Sequence, residues 1–287
     1  MDKLVSLGSR KRPLYNEASP NEVFPVDDEA WELGDISESI QGTVSSPYTE
    51  QQSTFGRLCQ GALLASRMLD HSKRLETIRL NCERFSYPEV VSLTEAAHEL
   101  STSIQAEIAA RPTAYFSLIP AQCLAYSAVM KVLSIYTAEA PDDSLGVPSM
   151  EGRAWTGDDV SLQMTCIESR KAMSEQIHDF AKDLLSFISC DGQMVKTSPF
   201  VLDAVYSAAT VFLAAWKDGG DQSAEESFAT TKKLLVRLSG RWRLGAEYLK
   251  ALDHHEMNAM IGQNFASSQA VPILPSSSMV TIPTIVC

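Results

Sequence analysis

Apolar residues recur along this chain at steps of three and four, which is the spacing of one face of an α-helix. Phe55, Leu58, Cys59, Ala62, Ser66 and Leu69 mark a helix over about 52–72. Leu93, Ala97, Leu100, Ile104 and Ile108 form one stripe over 87–110, stopped by Arg111-Pro112. The next segment, 113–138, is apolar on nearly every side and is expected to be central and enclosed; Pro120 either kinks it or marks its start. Asp158 or Asp159 is expected to cap a long helix to about 190, with Met173, Ile177, Phe180, Leu184 and Ile188 inward. Ser198-Pro199 opens a further helix, closed by Gly219-Gly220. Two more follow over 221–238 and 241–255.

Between and around these helices the pattern breaks. Residues 1–50 carry Pro, Ser, Asp and Glu without a sustained period and read as an irregular lead-in, in which Phe24 and Trp31 are the rings suited to pin the chain to a core. Residues 139–157 read as a loop, and 257–287 as an irregular tail, either disordered or laid as an apolar strap on the helices. No pair of alternating segments with hairpin turn chemistry occurs. The expected fold is therefore all-α: an irregular bundle of about seven helices over 51–256, flanked by two irregular tails.

Composition sharpens this picture. Forty-five per cent hydrophobic residues in 287 suffice for a sizeable core. A formal charge of −12 argues against direct nucleic-acid binding, which needs clustered Lys and Arg. The basic run Arg10-Lys11-Arg12 reads either as a solvated tail or as a short import or linker element. The six cysteines are scattered, with no C-x2-4-C pair, so no metal site is expected, and several, in apolar helical contexts, read as buried free thiols of an intracellular protein. The most apolar stretch, 118–136, contains Pro120, Gln122 and Lys131, which fits a buried helix better than a membrane span.

Catalytic patterns fail one by one. His255-Glu256-Met257-Asn258-Ala259 begins like a zinc-protease helix but lacks the second histidine. His254 and His255 read as exposed residues near a helix end, and His98 and His178 stand alone on amphipathic helices. No nucleophile elbow and no phosphate-cradling glycine loop is present. The acidic pairs Asp27-Asp28, Asp142-Asp143 and Asp158-Asp159 read as loop acids and helix caps. The rival reading is a helical terpenoid-type enzyme gripping Mg2+ through Asp27, Asp28, Asp158 or Asp159. No catalytic residue and no cofactor is assigned. One basic cluster stands out: Lys232, Lys233, Arg237, Arg241 and Arg243, beside Trp242. It reads either as a solvated face that complements a helix dipole or as a docking edge for an acidic partner.

Four segments, in order, resemble the middle homology region of fungal zinc-cluster transcription factors. They are Phe24-Pro25-Val26-Asp27-Asp28-Glu29-Ala30-Trp31; Ser53-Thr54-Phe55-Gly56-Arg57-Leu58-Cys59-Gln60-Gly61-Ala62-Leu63-Leu64; Ser198-Pro199-Phe200 through Tyr206-Ser207-Ala208-Ala209; and Arg241-Trp242-Arg243-Leu244-Gly245-Ala246-Glu247-Tyr248-Leu249-Lys250. Gly245 stands where small residues are common, allowing close helix contact. The resemblance implies an all-α regulatory domain, nuclear residence and control of transcription, in some relatives of metabolic or secondary-metabolite gene clusters. It implies partners such as the transcription machinery or another transcription factor, with a homo- or heterodimer as one arrangement. The six-cysteine zinc cluster of such proteins has no counterpart here. The chain is accordingly expected to be a truncated product, a domain of a longer factor, or a regulator working through a partner.

Overall fold

The structure is a computed structural model that describes residues 19–26, 28–34, 42–81, 87–137, 157–188 and 192–269. Within them the backbone forms eight α-helices: α1 (Asp28–Leu33), α2 (Thr54–Asn81), α3 (Tyr87–Ala110), α4 (Tyr115–Thr137), α5 (Gly157–Ile188), α6 (Phe200–Gly219), α7 (Gln222–Ser239) and α8 (Arg243–Gln269). Two 3-10 turns, Pro112–Ala114 and Gln193–Lys196, join α3 to α4 and precede α6. Among the described residues there is no strand, only one isolated antiparallel bridge between Val23 and Thr43. The fold is all-α.

Helix α4 is the hub. It packs against α2, α3, α5 and α6, and every residue from Ala121 to Met130 is buried. Being covered on four sides explains why the segment is apolar all round; by length and composition alone it would pass for a membrane span. Pro120 sits inside α4 and is tolerated in its second turn, where it removes the bond its N–H would have given to Phe116. Two polar residues enclosed within α4, Gln122 and Tyr126, are paired. Ser101 Oγ of α3 and Gln122 Nε2 both donate to the Tyr126 hydroxyl, at 2.9 and 2.8 Å, so burial does not orphan them. The second layer is α6, α7 and α8: α7 packs on α6, and α8 closes over both.

The helix ends follow local chemistry. Gly220 takes the left-handed conformation (φ 63°) and its N–H returns to the Trp216 carbonyl at 2.9 Å, ending α6. Asp221 then caps α7, its carboxylate accepting from the N–H groups of Ser223 and Ala224. The inward stripe of α5 is as the spacing implies: Met173, Ile177, Phe180, Leu184 and Ile188 are all buried. Asp158 and Asp159 fall in its first turn rather than at its cap.

Four expectations need correction. Helix α2 is turned relative to its apolar pattern: Phe55 is 45% exposed, while Arg57, Gln60, Gly61, Leu64, Ala65 and Met68 face inward. The cause is a buried polar cluster around Arg57, described below, which no apolar count reveals. Of the two rings expected to pin the lead-in, Phe24 is buried, as is Val26 close by in the chain, but Trp31 is 76% exposed. Helix α2 runs to Asn81, past the apolar period at 72, because a nucleated helix extends cheaply through helix-forming residues, and α8 runs to Gln269, past 255 and into the segment expected to be an irregular tail. His254 and His255 therefore lie within α8, exposed, rather than near its end.

Candidate functional site

The first polar centre joins the lead-in to the bundle. Arg57 on α2 is completely buried and every arm of its guanidinium is used. Nε donates to Glu107 Oε1 of α3 at 3.0 Å, and Nη2 adds a second, shorter bond to the same oxygen. Nη1 reaches the Tyr48 carbonyl and Gln60 Oε1, both at 2.8 Å. Nη2 also reaches the Glu50 carbonyl and Ser103 Oγ, both at 2.8 Å. The planar fork suits this convergence of acceptors in a way an ammonium does not. Ser53 begins the helix beside it, accepting from the Gly56 N–H at 2.8 Å and donating to the Pro25 carbonyl at 2.9 Å.

A second centre ties α2, α3 and α4 at their far ends. His71 Nε2 and the Tyr136 hydroxyl lie 2.8 Å apart, and His71 Nδ1 lies 3.0 Å from Glu89 Oε2. Glu89 also pairs with Arg74. Burial lowers the pKa of His71, which the adjacent Glu89 carboxylate only partly offsets.

The third centre lines a cleft of about 620 Å3 between α4, α5, α6 and α8. Asp203 of α6 accepts from the Tyr248 hydroxyl of α8 at 2.9 Å and pairs with Lys131 of α4 at 3.0 Å. Tyr206 stacks on Tyr248 with ring centres 4.3 Å apart. Burial and the Asp203 charge raise the pKa of both tyrosines, so both hydroxyls keep their protons. Arg170 of α5 forms part of the wall, and its Nη1 donates to Thr137 Oγ1 at 3.0 Å.

The basic cluster divides. Lys232 turns inward and pairs with Asp253 at 2.9 Å and Glu256 at 2.7 Å, tying α7 to α8. Lys233, Arg237, Arg241 and Arg243 are exposed, and the Arg241 guanidinium lies 4.9 Å from the half-buried Trp242 ring. Val236, 54% exposed, lies on the same stretch of α7. The outcome is a solvent-facing edge of four cations around the α7–α8 turn.

Elsewhere reactive chemistry is muted. Cys123 is fully buried, and burial raises its thiol pKa far above the usual range; that of Cys166 rises to about 11. Cys82, Cys190 and Cys287 lie outside the described residues, as do Asp27 and Asp142-Asp143, and the side chains of Asp28, Asp158 and Asp159. Among the described residues no group of three or more His, Cys, Asp or Glu is suited to hold a metal ion. His178 lies against Phe212 and His98 within 3.5 Å of Gln176, each as a single residue between helices. The periodicity of the chain did not reveal the Arg57, His71 and Asp203 centres, because each is assembled from residues far apart in sequence. Comparison with family models, with curated proteins and with solved structures finds no match to this chain.

Proposed function

We propose that this chain is a regulatory domain of the fungal zinc-cluster transcription-factor type, acting in the nucleus through protein partners rather than by catalysis. One observation carries the reading: the four segments that resemble that family meet in pairs. The first reaches the second through Pro25 and Ser53, 28 residues apart. The third reaches the fourth through Asp203 and Tyr248, 45 residues apart, and again where Leu202 abuts Gly245. Contacts between the segments that carry the likeness support reading them as parts of one domain. The residues concerned serve the fold, as expected of a domain whose common features are architectural.

On this reading the exposed edge of Lys233, Arg237, Arg241 and Arg243 docks an acidic segment of a partner protein, since complementary charge steers and orients association. The test is transcript profiling after deletion of the gene, with complementation by the wild type and by the charge-reversed Lys233→Glu/Arg237→Glu variant. Changed transcripts restored by the wild type but not by the variant support the proposal. Transcripts unaltered by deletion overturn it.

A further inference from the structure

We propose that the cleft between α4, α5, α6 and α8 binds a small organic carboxylate with a flat apolar body, held through Arg170. The case begins with unequal pairing of the two cations in that cleft. Lys131 is matched by Asp203 at 3.0 Å. Among the described residues no carboxylate pairs with Arg170: Nη1 donates to Thr137 Oγ1, and Nε is buried with no hydrogen-bond partner among them. Arg170 is half-buried, so its guanidinium has given up part of its hydration, and burial draws its pKa down. Among the described residues of the lining Asp203 is the single acid, against the two cations Lys131 and Arg170, in a chain of net charge −12.

The remainder of the wall defines the ligand. Leu124, Met130 and Phe200 offer apolar surface, and the stacked pair of Tyr206 and Tyr248 offers an aromatic edge. Ser134, Ser207 and Thr210 add hydroxyls; those of Ser134 and Thr210 donate to the Lys131 and Ser207 carbonyls and leave their oxygens as acceptors. Apolar surface combined with convergent polar groups, here with one cation in excess of the acid, is a make-up that small-molecule sites share. One unpaired guanidinium in a lining that also holds the Asp203 carboxylate suits a singly charged carboxylate and disfavours a dianion such as phosphate, which Asp203 repels. The volume, about 620 Å3, accommodates a two-ring acid. Binding here is independent of the regulatory reading and is measured on the purified full chain, so either can fail without the other.

The probes are 2-naphthoate, the neutral 2-naphthylmethanol and inorganic phosphate, titrated calorimetrically, with the Met130 methyl resonance followed by NMR. The expected result is binding of 2-naphthoate with a shift of the Met130 resonance, at least tenfold weaker binding of the alcohol, and no competition by phosphate. Arg170→Met is expected to weaken 2-naphthoate about tenfold to a hundredfold, the worth of one charge-assisted hydrogen-bonded pair, while leaving the alcohol unchanged. Ser207→Phe is expected to fill the cleft and abolish both. Equal affinity for acid and alcohol, displacement by phosphate, or no binding of 2-naphthoate each overturns the proposal. The comparison of the three probes on the wild type decides the matter even where a variant fails to fold.

Discussion

A β-carbon added to Gly61 would lie 2.8 Å from the carbonyl oxygen of Ala121 and 3.2 Å from its Cα. Helices α2 and α4 thus cross backbone to backbone at this point, closer than any side chain permits. The neighbour is main chain of the most enclosed helix, so it cannot swing aside. Gly61→Ala is expected to destabilise the fold by about 1–3 kcal/mol, the usual cost of overpacking, despite alanine's better helix propensity. Gly61→Leu is expected to prevent native packing. Urea unfolding followed by circular dichroism measures both, and a stability gain for the alanine variant would contradict the close approach.

Arg57 is the second point of strong dependence. Its removal leaves Glu107, a buried carboxylate, without its main partner, along with the Tyr48 and Glu50 carbonyls that it holds. Arg57→Ala is expected to cost about 3–5 kcal/mol, in the range for breaking a buried ion pair from one side. Arg57→Lys is expected to recover only part, because one ammonium cannot reach acceptors spread around a planar fork. Chemical denaturation midpoints for the two variants and the wild type give the comparison.

The chain should become less stable in mild acid through His71. Burial holds its folded pKa below the ordinary histidine value, so the unfolded chain binds the proton more readily. Stability is therefore full above a pH of about 6.5, the unfolded pKa, and is lost as pH falls from there through the lower folded value. His71→Gln is expected to flatten that portion of the curve. Melting temperatures of the wild type and the variant between neutral and mildly acidic pH check the sign; a wild type that gains stability in this window would refute it.

Tyr248→Phe deletes a hydroxyl that donates to Asp203 but keeps the ring against Tyr206. The expected loss is about 1 kcal/mol, modest because Lys131 still neutralises Asp203 in a partly open cleft. Tyr248→Ala also removes the stacked ring and is expected to cost about 2–4 kcal/mol. A double-mutant cycle with Asp203→Asn separates the hydrogen bond from the stacking.

Much of the secondary structure was legible in the order of residues. Helix α3 runs from Tyr87 to Ala110, the span its apolar stripe and the following Arg111-Pro112 define. The α6–α7 junction falls where Gly220 and Asp221 supply a left-handed stop and a new cap. The enclosure of α4 follows from a helix with no polar face. The basic cluster was legible as charges but not as a surface: on the linear chain Lys232 cannot be told from Lys233, and only the return of α8 brings Asp253 and Glu256 to the first and not the second.

Periodicity and punctuation determined the all-α class, the seven long helices and most of their boundaries, because those depend on interactions within a few residues. The facing of α2, the burial of Arg57, the contact of Gly61 with Ala121 and, among the described residues, the lack of a carboxylate paired with Arg170 were decided by tertiary structure alone. Each rests on which distant groups arrive beside a residue. Hydrogen-bond satisfaction and steric fit at such meetings outweigh the local preference for apolar side chains to point inward.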